Sequence, residues 1–155
     1  MISHSSPLMG LTKALENAVT DLEELAKKNT PRPSRFHARD VLLALGNLAG
    51  ADDEFQVEEL AERLSKLTQP FLERWQRAVD EELQLACAEF VTSVDEKFLR
   101  LENYDFDYTT SARKRLEARL VACELLGYEI PSTLTDQVER ADQTYAPYLA
   151  QHEKQ

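Results

Sequence analysis

A chain of 155 residues, 43% apolar and 30% charged, is long enough to bury a core of its own without disulfide or metal support, and it reads as one domain over residues 1–155. Its net charge of −10 is unevenly placed, +1 over residues 1–50 and −11 over residues 51–155, which disfavours generic nucleic-acid binding because phosphate repels the larger part. The absence of a signal-peptide pattern and of any apolar run near the roughly 18 residues of a membrane span, with Cys87 and Cys123 placed singly in apolar helical patterns, predicts a cytoplasmic protein with reduced thiols and no membrane association.

The first predicted helix covers about 7–28, capped by Ser6, with Pro7 in the first turn. Leu8, Leu11, Leu15, Ala18, Leu22 and Leu25 alternate in steps of three and four, a seam that suits packing on a neighbour in the same chain. Residues 29–34 hold two prolines in three positions and form an extended linker. A second helix over about 35–49 buries Val41, Leu42, Leu45 and Leu48, and Gly50 suits a left-handed residue after its end. A third opens at Asp52–Asp53, where Asp53 and Gln56 have capping-box spacing, and turns Phe55, Leu60, Leu64 and Leu67 inward.

From Pro70 no glycine or proline follows until Gly127, and one long central helix is predicted over about 70–103. Leu72, Trp75, Val79, Leu83, Ala86, Phe90, Val94, Phe98 and Leu101 advance 29 residues in eight steps, a mean of 3.63, matching a straight helix better than a supercoiled one. At ~1.5 Å per residue such a rod would outrun the domain, so one end projects or bends, with Thr92–Ser93 the favoured bend. A turn at 103–108 leads into a helix over about 110–126, ended by Gly127, with Leu116, Leu120 and Cys123 inward. A last helix covers about 133–146, with Thr133 and Asp136 spaced to cap it, Pro147 ending or kinking it, and a frayed tail at 151–155. The fold class predicted is all-α, a single-domain bundle of about six helices around the long one.

Chemistry is sparse. No Glu-x-x-His precedes His37 or His152, no Cys-x-x-Cys occurs, and 52–54 lacks a calcium-loop pattern, so neither metal nor cofactor is expected. His37 and Asp40 share a helix face but have no nucleophile beside them, and they read as a surface ion pair. No catalytic residue is assigned. Two basic clusters stand out. Lys27, Lys28, Arg32, Arg35 and Arg39 lie in thirteen residues without an acid and form a candidate partner-binding patch, joined by the aromatics of the 104–108 turn, Tyr104, Phe106 and Tyr108. Thr110, Ser111, Arg113, Lys114 and Arg115, at the expected start of a helix, form a candidate anion-binding site.

Val41-Leu-Leu-Ala-Leu45 followed by Phe55-Gln-Val-Glu-Glu-Leu-Ala-Glu-Arg-Leu64 resembles the first two helices of winged helix-turn-helix regulators over about 25 residues. The resemblance implies a DNA-binding alternative, a degenerate helix-turn-helix at about 41–77, although the segment after Gln69 is acidic where those regulators carry a short basic reader helix. The function predicted is a non-enzymatic helical protein–protein interaction module, an adaptor, accessory or regulatory subunit, whose charge segregation favours self-association as a homo-oligomer. A second alternative is an enzyme or small-ligand binder with a pocket inside the bundle.

Overall fold

Apolar residues at helical spacing run through the chain with few breakers, and every regular element among the described residues is helical. The structure is a computed structural model that describes residues 6–51 and 54–155, with side chains described for 9–51 and 57–155. The Ser6 cap, the Asp53–Gln56 box, and the inward side chains of Leu8 and Phe55 fall outside the described side chains. The helices among the described residues are α1 (Ser6–Ala26), α2 (Arg35–Gly50), α3 (Glu54–Thr68), α4 (Leu72–Ser93), a one-turn α5 (Glu96–Leu99), α6 (Phe106–Leu125) and α7 (Ser132–Glu153), with a 3-10 turn at Gln69–Phe71 before α4.

This is an all-α bundle with a long central helix. α4 lies against α2, α6 and α7, as its wide apolar face predicts, and α2 is equally central, packed on α1, α4 and α6. Leu15, Ala18, Leu22 and Leu25 of α1 are buried, together with Val41, Leu42, Leu45 and Leu48 of α2. Trp75 and Phe90 fill the centre, and the Trp75 indole donates to the Tyr128 hydroxyl at 2.7 Å.

α2 and α6 touch more closely than side chains ordinarily allow. A Cβ placed on Gly46 would fall on the Ala118 carbonyl, within 2.7 Å of that residue's Cα. The glycine is required by this approach of two backbones, not by its own backbone conformation.

Helix ends depart from the sequence reading in several places. The long helix stops at Ser93 instead of running to about 103, so it neither outruns the domain nor projects. Ser93 Oγ bonds back to the Phe90 carbonyl at 2.7 Å, the Tyr104 hydroxyl donates to the Ser93 carbonyl at 2.6 Å, and Asp95 caps α5 by accepting from Lys97 N–H at 3.0 Å. Together they satisfy polar groups freed by the break. α6 begins at Phe106, four residues earlier than expected, because Asp105 accepts from Tyr108 N–H at 2.9 Å. It ends in a Schellman motif on Gly127, at φ 76°, with Tyr128 N–H donating to the Cys123 carbonyl at 2.9 Å. Gly50 lies within α2 instead of after it. α7 starts without a side-chain cap from Thr133 and runs through Pro147 to Glu153. Pro147 and Gln143 are both exposed, so the carbonyl that loses its partner lies on the solvent side of the helix.

Gly46→Ala is expected to force α2 and α6 apart and to destabilise the fold by about 1–3 kcal/mol or more. A thermal melt should show a drop of several degrees, and an unchanged midpoint would refute the close approach.

Candidate functional site

The break after Ser93 decides which apolar residues reach the surface. From Trp75 to Val94 the 3.6-residue stripe is buried, but beyond it Leu99 takes the core position. Phe98 and Leu101, which continue the stripe in sequence, are 39% and 54% exposed. With Leu85 at 41% and Tyr108 at 50%, they line a groove of about 590 Å³ between the C-terminal half of α4, α5 and the start of α6. Glu89 and Asp105 also line it, so the groove is apolar with acidic side chains.

The three aromatics of the 104–108 turn separate. Tyr108 is exposed in the groove. Tyr104 lines it but is anchored through its hydroxyl to Ser93 and Thr109. Phe106 is packed edge-on to Tyr104 at 4.8 Å and stacked on Tyr145 and on the His152 ring, the latter at 4.0 Å. Phe106 therefore clamps α6 to α7. Burial raises the ionisation range of the Tyr145 hydroxyl, which donates to the Phe106 carbonyl at 3.1 Å and lies 2.9 Å from Thr110 Oγ1.

The basic stretch also divides. Lys27, Lys28 and Arg32 are exposed, with Lys27 beside Glu24 at 3.1 Å. Arg35 and Arg39 flank the exposed ring of Phe36, their guanidinium carbons 4.4 and 5.1 Å from its centroid. Nothing in the sequence reading singled out Phe36. The signal available was its bulk beside two arginines. His37 does not pair with Asp40. Its Nδ1 accepts from Ser34 N–H at 3.0 Å while its own N–H donates to Ser34 Oγ at 3.4 Å, a capping box that starts α2, and Asp40 pairs with Arg39.

The residues of the candidate anion site are not gathered around a helix end. Because α6 starts at Phe106, Thr110 and Ser111 lie inside the helix, and the Thr110 hydroxyl meets Tyr145. Arg113 grips Asp142 through Nε at 2.8 Å and Nη2 at 3.1 Å and reaches Glu117 at 2.8 Å, contacts that hold its guanidinium further above its ordinary range. Lys114 and Arg115 are exposed.

The principal buried charge is Glu82, 2% exposed and shared by two arginines. Arg119 donates to Oε2 from Nε at 2.7 Å and from Nη2 at 2.6 Å, and Arg35 donates to Oε1 at 3.0 Å. Arg119 also donates to the Arg115 carbonyl at 2.9 Å. The sequence signal was present but unread: Glu82 is four residues after Ala78 and four before Ala86, on the apolar face, while Arg119 falls between Leu116 and Cys123. The carboxylate is neutralised between α2, α4 and α6, whereas Glu89 and Glu124, the acids that would favour an internal catalytic pocket, are both exposed.

Among the described residues no group of three or more His, Cys, Asp or Glu is placed to hold a metal, and no helix is long and apolar enough to cross a membrane. None is a strand, so these residues supply no wing after α3. Gln69, Arg74, Gln76 and Arg77, the polar side chains suited to base reading, are exposed on the 3-10 turn and the first turns of α4. Cys87 and Cys123 are buried free thiols, and burial pushes Cys123 up to about 12. No protein-family model, curated protein or solved structure matches the chain.

Two outcomes follow. Glu82→Ala, which leaves Arg119 buried and unpaired, should cost about 3–5 kcal/mol in denaturant unfolding, while Glu82→Met combined with Arg119→Leu should recover much of that loss. A double variant no more stable than the single one would refute the pairing account. The raised pKa of Cys123 means that its burial contributes fully below the ordinary thiol range, and the contribution fades as pH rises through about 12. Thiol reagent at about pH 8 should therefore label neither cysteine until denaturant is added.

Proposed function

We propose that this protein is a non-enzymatic helical interaction module that self-associates by seating the Phe36 knob of one copy in the α4–α5–α6 groove of another. The observation that carries the reading is chemical complementarity between two features of the same surface. The groove offers Leu85, Phe98, Leu101 and Tyr108 with Glu89 and Asp105. The knob offers an exposed aromatic ring flanked by Arg35 and Arg39, with Lys27, Lys28 and Arg32 on the adjoining segment. An apolar ring would fill the groove, and the exposed cations of the adjoining segment, Lys28 and Arg32, would meet its acids, the usual division between apolar anchor and polar rim.

An adaptor or accessory role follows from the same surfaces, since a partner segment with an aromatic anchor and flanking cations would compete for the groove. The DNA reading has weaker support, because the exposed cations share the first turns of α4 with Glu73 and no strand follows among the described residues.

Static light scattering should show the weight-average mass rising above that of a monomer with concentration at low salt and falling back as salt is added. Phe36→Ala and Leu101→Asp, both at exposed positions, should each weaken association by at least about tenfold, equivalent to ~1.4 kcal/mol, with the thermal midpoint unchanged. A monomer at all concentrations, or self-association indifferent to both substitutions, would sink the proposal.

A further inference from the structure

The fold gathers a third group of cations that the linear sequence keeps apart. The extended linker after α1 lies against the start of α4, fastened there by Arg74, whose Nη1 donates to the Pro31 carbonyl at 3.1 Å. The contact brings Arg32 beside Arg74 and Arg77, and the three side chains line a cleft of about 370 Å³ together with Pro33, Ala78 and Glu81.

Charge in this cleft is unbalanced in a protein that is otherwise strongly acidic. Arg32 makes no ion pair among the described residues, and Arg74 spends one guanidinium nitrogen on a neutral carbonyl. Arg77 has only an exposed contact with Glu73, at 3.8 Å. The nearest buried carboxylate, Glu82, one turn after Ala78 on α4, is already held by Arg35 and Arg119 and has no charge left to offer. The lining residues themselves set three guanidiniums against one carboxylate, Glu81, a sum of +2, with Glu73 outside the cleft against Arg77. Like charges grouped around one concavity raise the local affinity for an anion, and guanidinium forks suit the oxygens of a tetrahedral one.

We propose that this cleft is a binding site for a dianionic phosphate monoester, with Arg32 and Arg77 as its principal ligands and Arg74 holding the linker wall in place. A phosphate monoester near neutral pH carries between about −1.5 and −2, matching the lining, whereas each phosphodiester of a nucleic-acid strand carries only −1. Two consequences separate the site from a diffuse basic surface. Binding weakens below the second phosphate pKa of about 6, as the dianion takes up a proton. Removing Glu81's charge strengthens binding, because that carboxylate lines the cleft and repels the ligand.

The test is titration of the full chain with inorganic phosphate and with phenyl phosphate at constant ionic strength, read by NMR from the arginine Nε–Hε signals. A single-stranded oligonucleotide serves as the phosphodiester arm. The expected result is a saturable shift confined to Arg32, Arg74 and Arg77 with both phosphates. Arg32→Gln and Arg77→Gln should each weaken it by about tenfold, and Glu81→Gln should strengthen it severalfold, with unchanged spectra elsewhere showing that the variants fold. A shift matched by chloride, one spread equally over the exposed Arg63, Arg115 and Arg140, or tighter binding of the oligonucleotide would overturn the proposal. So would indifference to all three substitutions.

Discussion

The shared carboxylate of Glu82 is the contact on which the arrangement of the bundle depends. It joins α2 through Arg35, α6 through Arg119 and α4 through its own backbone, at a depth where an unpaired charge is expensive. A buried ion pair contributes little net stability over apolar residues of the same volume, yet leaving one partner alone is strongly unfavourable. The triad therefore penalises any packing of these helices that does not bring all three side chains together. It sets the rotation of α4, turning Trp75, Val79, Leu83 and Phe90 inward and Leu85 and Glu89 outward. The Gly46–Ala118 approach supplies the matching steric condition between α2 and α6.

With α4 held in that orientation, the break at Val94–Asp95 becomes consequential. Had the helix continued, Phe98 and Leu101 would have stayed on the buried stripe. The Ser93 hydroxyl, the Tyr104 hydroxyl and the Asp95 cap instead satisfy the helix end, and the next turn is rotated so that Leu99 enters the core. The groove thus takes Phe98 and Leu101, residues that sequence periodicity assigns to the interior. Exposed apolar side chains gathered around one depression differ from the scattered ones any surface carries.

Charge follows a similar logic. The basic stretch was legible as a stretch, yet its members do different things: Arg35 serves the buried triad and the Phe36 knob together, Arg39 the knob, and Arg32 the cleft beside α4. The basic cluster on α6 divides too: Arg113 is bound to α7, Lys114 and Arg115 are exposed, and Arg119 one turn further on is bound to Glu82. Counting cations along the chain could not separate these roles, because each depends on which distant carboxylate, ring or carbonyl lies within reach.

What the sequence determined by itself was the helical class, the span of α2, the buried stripe of α4 as far as Val94, the neighbourhood of its bend, and the glycine that ends α6. All of these rest on interactions within a turn or two, where residue spacing and capping chemistry act directly. Only the tertiary structure decided that Pro147 is carried within α7, that Glu82 is buried between two arginines, and that Phe98 and Leu101 face outward. Periodicity records which side chains favour burial, but where a helix stops and which charges meet depend on contacts between segments far apart in the chain, and those exist only once the helices have packed.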